Sequence, residues 1–295
     1  MSVARLHTYA SLVSFSHTVF ALPFAASAVV LAYSRPHVPL TFWRAIAMLA
    51  CMVAARTSAM AFNRWADRDL DAKNPRTMAR HVPAGLVRPG EALGLALVSG
   101  AIFLGAACTL GLWPALLSPL VLGVLLGYSF AKRFTFASHA WLGVALALAP
   151  GGAWIAMGAT VTPGVLLLMI AVVTWLVGFD VLYSLQDERF DREQGLASIP
   201  ARFGTRRALV ISRASHVGTV LALVSAGALL QRGPLYFVGV AVTAMLLAYE
   251  QSIVGAGKLE KIDKAFFDVN AWVSVGFFVF TLADELVRRA AQVSS

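Results

Sequence analysis

The sequence predicts an all-α, polytopic membrane protein that crosses the bilayer nine times, and three observations carry that prediction. Of its 295 residues, 59% are hydrophobic and only 13% charged, with a mean hydropathy of +0.74, the composition of a chain that lives in lipid. Apolar stretches close to the roughly 20 residues that span a bilayer recur at about 9–33, 42–62, 91–110, 113–131, 139–158, 163–183, 208–229, 234–254 and 265–287. The charged residues fall between those stretches, and mostly on one side.

The first stretch has a single Arg5 before it, is interrupted by Ser14, Ser16 and His17, and is long enough to cross. It therefore reads as a span rather than a cleaved leader. Gly111-Leu-Trp-Pro114 joins the third and fourth spans tightly, and Gly158-Ala-Thr-Val-Thr-Pro163 joins the fifth and sixth. The links after the second and sixth spans are much longer, at about 25 residues each, and long links in a compact protein often carry function. No low-complexity segment or soluble domain interrupts the pattern, so residues 1–295 read as one membrane domain.

With the N-terminus in the cytoplasm, 18 of the 24 Lys and Arg residues fall on the cytoplasmic side. That split follows the positive-inside rule. The net charge of +9 is thereby assigned to topology: the partner is the lipid bilayer, and no nucleic acid is expected. Cys51 and Cys108 lie in apolar stretches and read as small buried hydrophobes. Trp113, Trp154 and Trp272 are expected to face lipid or the membrane belt.

Two acidic runs stand out on the cytoplasmic side. Asn63, Asp67 and Asp71 are spaced four apart, and so are Asp187 and Asp191. Residues four apart share a helix face, so each run can aim its oxygens in one direction. Asp67 and Asp187 are 120 residues apart, as are Asp71 and Asp191, and the same offset sets Asn63 against Tyr183. This faint repeat suggests two four-helix halves plus one extra helix. The second and sixth spans end on the same side, so the runs can face one another across a cavity. Magnesium keeps several waters and is typically held by one or two carboxylates together with substrate phosphates. Sparse carboxylates at two helix ends suit a metal-bridged diphosphate, with Asn63, Asp67, Asp71, Asp187 and Asp191 as the metal-binding candidates. The alternative is a pair of solvated, charged helix ends, with Arg68 beside Asp67 and Arg192 beside Asp191 available for local pairing.

Asp180 lies inside the sixth span, seven residues before Asp187, and Arg56 lies seven before Asn63. An intramembrane carboxylate costs roughly 2.5–3.5 kcal/mol on insertion scales and usually faces a functional interior. An Arg56–Asp180 structural pair is the alternative. Tyr183 offers a hydroxyl or an aromatic face. Lys73, Arg76, Arg80, Lys132, Arg133 and Arg202 are candidates to hold phosphate oxygens, although each could serve topology alone. His7, His17, His37, His81, His139 and His216 show no ligand spacing, so zinc is not proposed.

These residues carry a resemblance. Asn63-x-x-x-Asp67-x-x-x-Asp71 followed by Asp187-x-x-x-Asp191, on even-numbered spans of nine, resembles the UbiA superfamily of intramembrane prenyltransferases. The stretches Ala55-Arg-Thr-Ser-Ala-Met-Ala-Phe-Asn63 to Asn74-Pro-Arg-Thr77 and Tyr183-Ser-Leu-Gln-Asp187 to Ser198-Ile-Pro-Ala-Arg-Phe-Gly204 look closest to 4-hydroxybenzoate polyprenyltransferases, in the branch associated with the futalosine route to menaquinone. The resemblance implies helices around a central cavity open laterally to lipid, with Mg²⁺ and a polyprenyl diphosphate bound by the two acidic motifs. Lys132 and Arg133 match a basic pair associated with diphosphate and substrate carboxylate. Tyr183 stands where some relatives have Asp, which leaves fewer carboxylates in the second motif.

The implied reaction transfers a polyprenyl group to an aromatic acceptor, 4-hydroxybenzoate or a related quinone precursor. Asp180, Asp187 and Asn63 are the catalytic candidates, with Asp180 or Asp187 orienting the phenol or taking its proton. Arg56 and Tyr183 join the basic residues as substrate-binding candidates. Its setting would be a bacterial cytoplasmic (inner) membrane, with the site on the cytoplasmic side. A secondary transporter using Arg56 and Asp180 as a relay is the alternative from another class. Haem, chlorin or dihydroxynaphthoate acceptors are alternatives within the enzyme class.

Overall fold

The computed structural model describes residues 18–254 and 265–293, together with positions 8, 11 and 12. Every regular element among the described residues is helical. Eight helical segments are long and apolar enough to cross a membrane: Phe42–Ala66, Pro89–Leu110, Leu112–Ala131, Ser138–Ala156, Pro163–Glu193 (with a 3₁₀ turn at Leu185–Asp187), Thr205–Leu229, Pro234–Ile253 and Phe267–Gln292. They coincide with the second to ninth predicted spans. The first predicted span overlaps a shorter apolar helix, Phe20–Ala32. Its positions 9, 10 and 13–17 lie outside the described residues, as do Arg5, His7, Lys258, Lys261 and Lys264.

The chain divides into two compact units, Met1–Thr18 with Leu40–Ala131, and Val19–Pro39 with Lys132–Ser295. The first unit contains α2 (Phe42–Ala66), the single turn α3 (Arg68–Asp71), α4 (Pro89–Leu110) and α5 (Leu112–Ala131). The second contains α1 (Thr18–Ala32, apart from its first residue), α6 (Ser138–Ala156), α7 (Pro163–Ser184), the short helices α8 (Glu188–Glu193) and α9 (Ile199–Phe203), α10 (Thr205–Leu229), α11 (Pro234–Ile253) and α12 (Asn270–Val293).

In the first unit Thr41 caps α2, its hydroxyl accepting from the Arg44 N–H at 3.2 Å. α2 and α4 then run antiparallel in a register fixed by polar contacts. Arg44 donates to the Leu110 carbonyl at 3.1 Å and Ser58 to the Ala96 carbonyl at 2.8 Å. Lipid gives apolar helices no reason to associate, so close approach and such hydrogen bonds must hold them. Gly100 permits the approach, since a Cβ there would meet Ser58 Oγ and Leu122 at 3.3 Å. Between α4 and α5 the turn is tighter than expected. Gly111 alone, at φ 132°, separates the helices, and Leu112, Trp113 and Pro114 already belong to α5. Only glycine takes that backbone angle without strain.

α7 is the spine of the second unit. α6 lies antiparallel to it, with Gly143 against Val173 and Gly151 against Met169, where a Cβ would come within 2.8 Å of each neighbour. α10 also packs antiparallel to α7, with Gly164 facing Leu230 and Thr174 Oγ1 3.0 Å from Thr219 Oγ1. Phe24 stacks on Phe277 at 5.4 Å and tilts against Trp175 at 5.0 Å, forming an aromatic core. Trp113 and Trp272 are 65% and 66% exposed, as expected of lipid-facing residues. Trp154 corrects that expectation, because it is fully buried with its indole N–H donating to the Thr160 carbonyl at 3.0 Å.

Candidate active site

The two acidic runs are not continuous helices. α2 stops at Ala66, and Asp67 takes φ −96°, ψ 4° before α3 resumes. α7 ends at Ser184, a 3₁₀ turn covers Leu185–Asp187, and Asp187 takes φ −102°, ψ 2° before α8 begins. The 120-residue offset noted in the sequence is thus a conformational repeat, with both first aspartates in the same sparsely allowed backbone region. Across the first kink the ladder persists, since the Asp67 N–H reaches the Asn63 carbonyl at 2.9 Å and the Asp71 N–H the Asp67 carbonyl at 2.7 Å. Asn63, Asp67 and Asp71 therefore stay one turn apart.

In the first unit, Asn63 donates its amide to Asp67 Oδ2 at 2.7 Å. The chain after Asp71 folds back: Thr77 and Met78 N–H groups bond the Asn74 carbonyl, and the Thr77 hydroxyl bonds the Asp71 carbonyl at 3.2 Å. This brings Arg80 onto Asp71 Oδ1 at 2.7 Å. Asp71 is 6% exposed, and its Oδ2 is buried with no hydrogen-bond partner. A buried carboxylate oxygen left unpaired is costly, so this atom is suited to an external cation. Lys73 and Arg76 are exposed in the link that follows, while Arg56 is half-buried in α2.

In the second unit, Asp187 and Asp191 are 6% and 2% exposed. Lys132 Nζ lies 3.4 Å from Asp191 Oδ2, and the Lys132 carbonyl accepts from the Ala197 N–H at 2.7 Å. Arg133 is exposed. Arg202 is also exposed, its guanidinium 4.7 Å from the Phe136 ring centre, so a cation–π contact holds it. Tyr183 packs on the apolar cluster of Val181, Leu182, Leu185, Ile199, Ala208 and Leu209. The local pairings suggested by sequence adjacency go elsewhere, since Arg192 bonds Glu188 at 2.8 Å and Arg68 reaches Asp69 at 3.5 Å.

Asp180 has a partner the sequence reading missed. His139 Nδ1 lies 2.7 Å from Asp180 Oδ2, and the imidazole side chain is fully buried. The signal was the stripe His139-x₃-Gly143-x₃-Ala147-x₃-Gly151, one face of α6 at four-residue spacing. Gly143 and Gly151 set the antiparallel register on α7, and that register carries His139 to Asp180. A second network was also missed: Trp175 donates to Asn270, Asn270 to Glu250 and Gln251 to Ser212, all between helices of this unit.

A model of the UbiA prenyltransferase family matches residues 20–278. The chain belongs to the UbiA prenyltransferase family. It is an integral membrane enzyme that transfers polyprenyl groups to aromatic acceptors, and the transporter alternative falls away. Among its relatives, the 4-hydroxybenzoate octaprenyltransferase of Marinobacter nauticus is 33% identical over 229 residues, 76% of each chain. That of Dechloromonas aromatica is 32% identical, covering 80% of this chain and 79% of its own. A UbiA homologue from Aeropyrum pernix in its apo form superposes with a TM-score of 0.82 at 34% identity, over 91% of this chain and 98% of that one. A UbiA homologue from Archaeoglobus fulgidus bound to DMAPP and Mg²⁺ shares the fold, with a TM-score of 0.69 at 18% identity over 95% and 99%.

Proposed function

We propose that this UbiA enzyme moves a polyprenyl group from a polyprenyl diphosphate to 4-hydroxybenzoate or a closely related quinone precursor, with Mg²⁺ as cofactor. The relatives named for 4-hydroxybenzoate support the acceptor class. The observation that carries the metal is Asp71 Oδ2, a buried carboxylate oxygen with no protein partner beside an arginine that neutralises only its twin. Among the described residues no group of three or more His, Cys, Asp or Glu side chains is placed to hold a metal ion on its own. Magnesium does not need one, because waters and substrate phosphates complete its octahedron. Asn63, Asp67 and Asp71 on one turn, with Asp187 and Asp191 on the other, would hold it. When bound, the ion supplies Lewis acidity to the diphosphate oxygens.

In this reading the chain works as a single domain of nine spans with a central cavity. Its acidic turns lie on the cytoplasmic side of a bacterial inner membrane. Arg80 and Lys132, with the exposed Lys73, Arg76, Arg133 and Arg202, attract the diphosphate and stabilise it as the leaving group. The allylic C–O bond breaks, a C–C bond forms to the phenol ring, and the ring proton leaves. Asp180 orients the phenol or receives that proton, with Asp187 as the other candidate. The apolar helices keep water from the allylic cation. A place in menaquinone formation by the futalosine route is the narrower form of this proposal.

The test is product formation by the purified full chain in detergent. It is supplied with prenyl diphosphates of several lengths and a panel of 4-hydroxybenzoate, dihydroxynaphthoate, haem and chlorin acceptors. Prenylated 4-hydroxybenzoate, abolished by EDTA and restored by Mg²⁺, is expected. Turnover that survives chelation would remove the metal assignment, and preference for another acceptor would replace the acceptor assignment.

A further inference from the structure

Within that reading of Asp180, we propose that His139 is its positioning residue, acting as a fixed hydrogen-bond donor rather than as a base or a metal ligand. The protonation pattern follows from the two ring nitrogens. The Ile199 backbone N–H donates to His139 Nε2 at 3.3 Å, so Nε2 carries a lone pair. The ring proton of the neutral imidazole then sits on Nδ1, which faces Asp180 Oδ2 at 2.7 Å. Both nitrogens are engaged, and the fully buried side chain has no atom left to take a proton from a substrate. A protonated ring would turn an N–H against the Ile199 N–H and lose that bond.

The bond determines what Asp180 can do. One carboxylate oxygen is held by His139, which fixes the plane of the group. The carboxylate is 16% exposed, so Oδ1 is the atom offered to the aromatic acceptor. A backbone amide on one side and a carboxylate on the other hold the ring like an orienting partner behind a reactive group. Ile199 opens α9, just after Ala197 is bonded to the Lys132 carbonyl. The imidazole thus ties Asp180 to the segment that also anchors the base meeting Asp191.

The experiment compares two amides at one position in the full-length enzyme. His139→Asn places its NH₂ near Nδ1, within reach of Asp180, whereas His139→Gln places it near Nε2, on the Ile199 side. Steady-state kinetics are measured separately for acceptor and prenyl diphosphate, with thermal unfolding of each variant and Asp180→Asn alongside. The glutamine variant should lose about 10–100-fold in kcat/KM for the acceptor, as removal of an orienting partner typically does. Its KM for prenyl diphosphate should stay unchanged, and the asparagine variant should recover most of the loss. Equal activity of both amides, or equal losses toward both substrates, would overturn the positioning role while leaving Asp180's own role standing if Asp180→Asn is inactive. Native turnover by Asp180→Asn would overturn the reading of Asp180 and this inference with it. If one amide variant fails to fold, His139→Leu replaces it as the donor-free control, with the same two outcomes.

Discussion

The buried acids Asp284 and Glu285 of the second unit and those of the two acidic turns are satisfied to different degrees. Where α7 begins, Asp284 Oδ2 accepts from the Gly233 N–H at 2.9 Å and Oδ1 from the Tyr236 N–H at 3.3 Å, capping α11. Beside it, Glu285 accepts from Arg232 through Oε2 and from Arg289 through Oε1, both at 2.9 Å. Those four oxygens are all spent inside the protein. Where α7 ends, buried Asp191 is met by Lys132 only at 3.4 Å, and in the first unit Asp71 keeps one buried oxygen unpartnered. Burial of an acid is therefore not the mark of a site. An unpaired oxygen is not sufficient by itself either, since buried Glu250 Oε2 also lacks a hydrogen-bond partner; Asp71 Oδ2 adds to it a place in the acidic turn beside Arg80.

The sharpest way to break this contrast is at the saturated end. Glu285→Ala would strand the largely buried Arg232, whose guanidinium is 2% exposed at side-chain level. Leaving one partner of a buried pair uncompensated costs about 3–5 kcal/mol. Thermal unfolding in detergent should show that loss, while turnover per folded molecule stays near native. Lost turnover at unchanged stability would mean that this end also serves the reaction.

At the unsatisfied end the effects should invert. Asp191→Ala and Asp71→Ala should each reduce turnover by about 10²–10³-fold, the scale of losing one preorganised electrostatic contact, with little change in unfolding temperature. A stabilised Asp71→Ala protein would fit best, because an unpaired buried oxygen disappears with it. Arg80→Ala should act more weakly, raising KM for prenyl diphosphate about tenfold, as loss of one charge-assisted contact of about 1.5 kcal/mol would. Unchanged kinetics in Arg80→Ala would make that arginine a structural counter-ion only.

Much of this was legible in the sequence because lipid imposes simple rules. Span length, cation placement and a four-residue acidic spacing each have one dominant cause, and eight spans appear where hydropathy put them. The kinks at Asp67 and Asp187 were not legible, because a four-residue spacing looks the same in a straight helix and across one bridging residue. His139 was overlooked because its meaning lies on another helix. It is separated from Asp180 by 41 residues, and only the register set by Gly143 and Gly151 joins them. Trp154 was misplaced for a related reason, since its partner carbonyl belongs to a turn six residues on.

The smallest expected effect probes the charge around the first acidic turn. His81 lies in the link after α3, with its Nε2 2.8 Å from the Ser11 hydroxyl. Partial burial lowers its pKa below the ordinary value, and the nearby Arg64 guanidinium lowers it further. A histidine depressed in the folded state opposes protonation there. Its contribution to stability is therefore complete above the unfolded value of about 6.5 and declines as pH falls below it. His81→Gln should flatten that decline in unfolding temperature. Arg64→Gln should raise the His81 titration midpoint, followed by imidazole NMR, by removing the repulsion while leaving burial in place. An unmoved midpoint would assign the whole depression to burial. The turn that holds Asp71 would then carry no excess positive field at His81, and the attraction of a diphosphate to this unit would rest on Arg80 and the exposed Lys73 and Arg76.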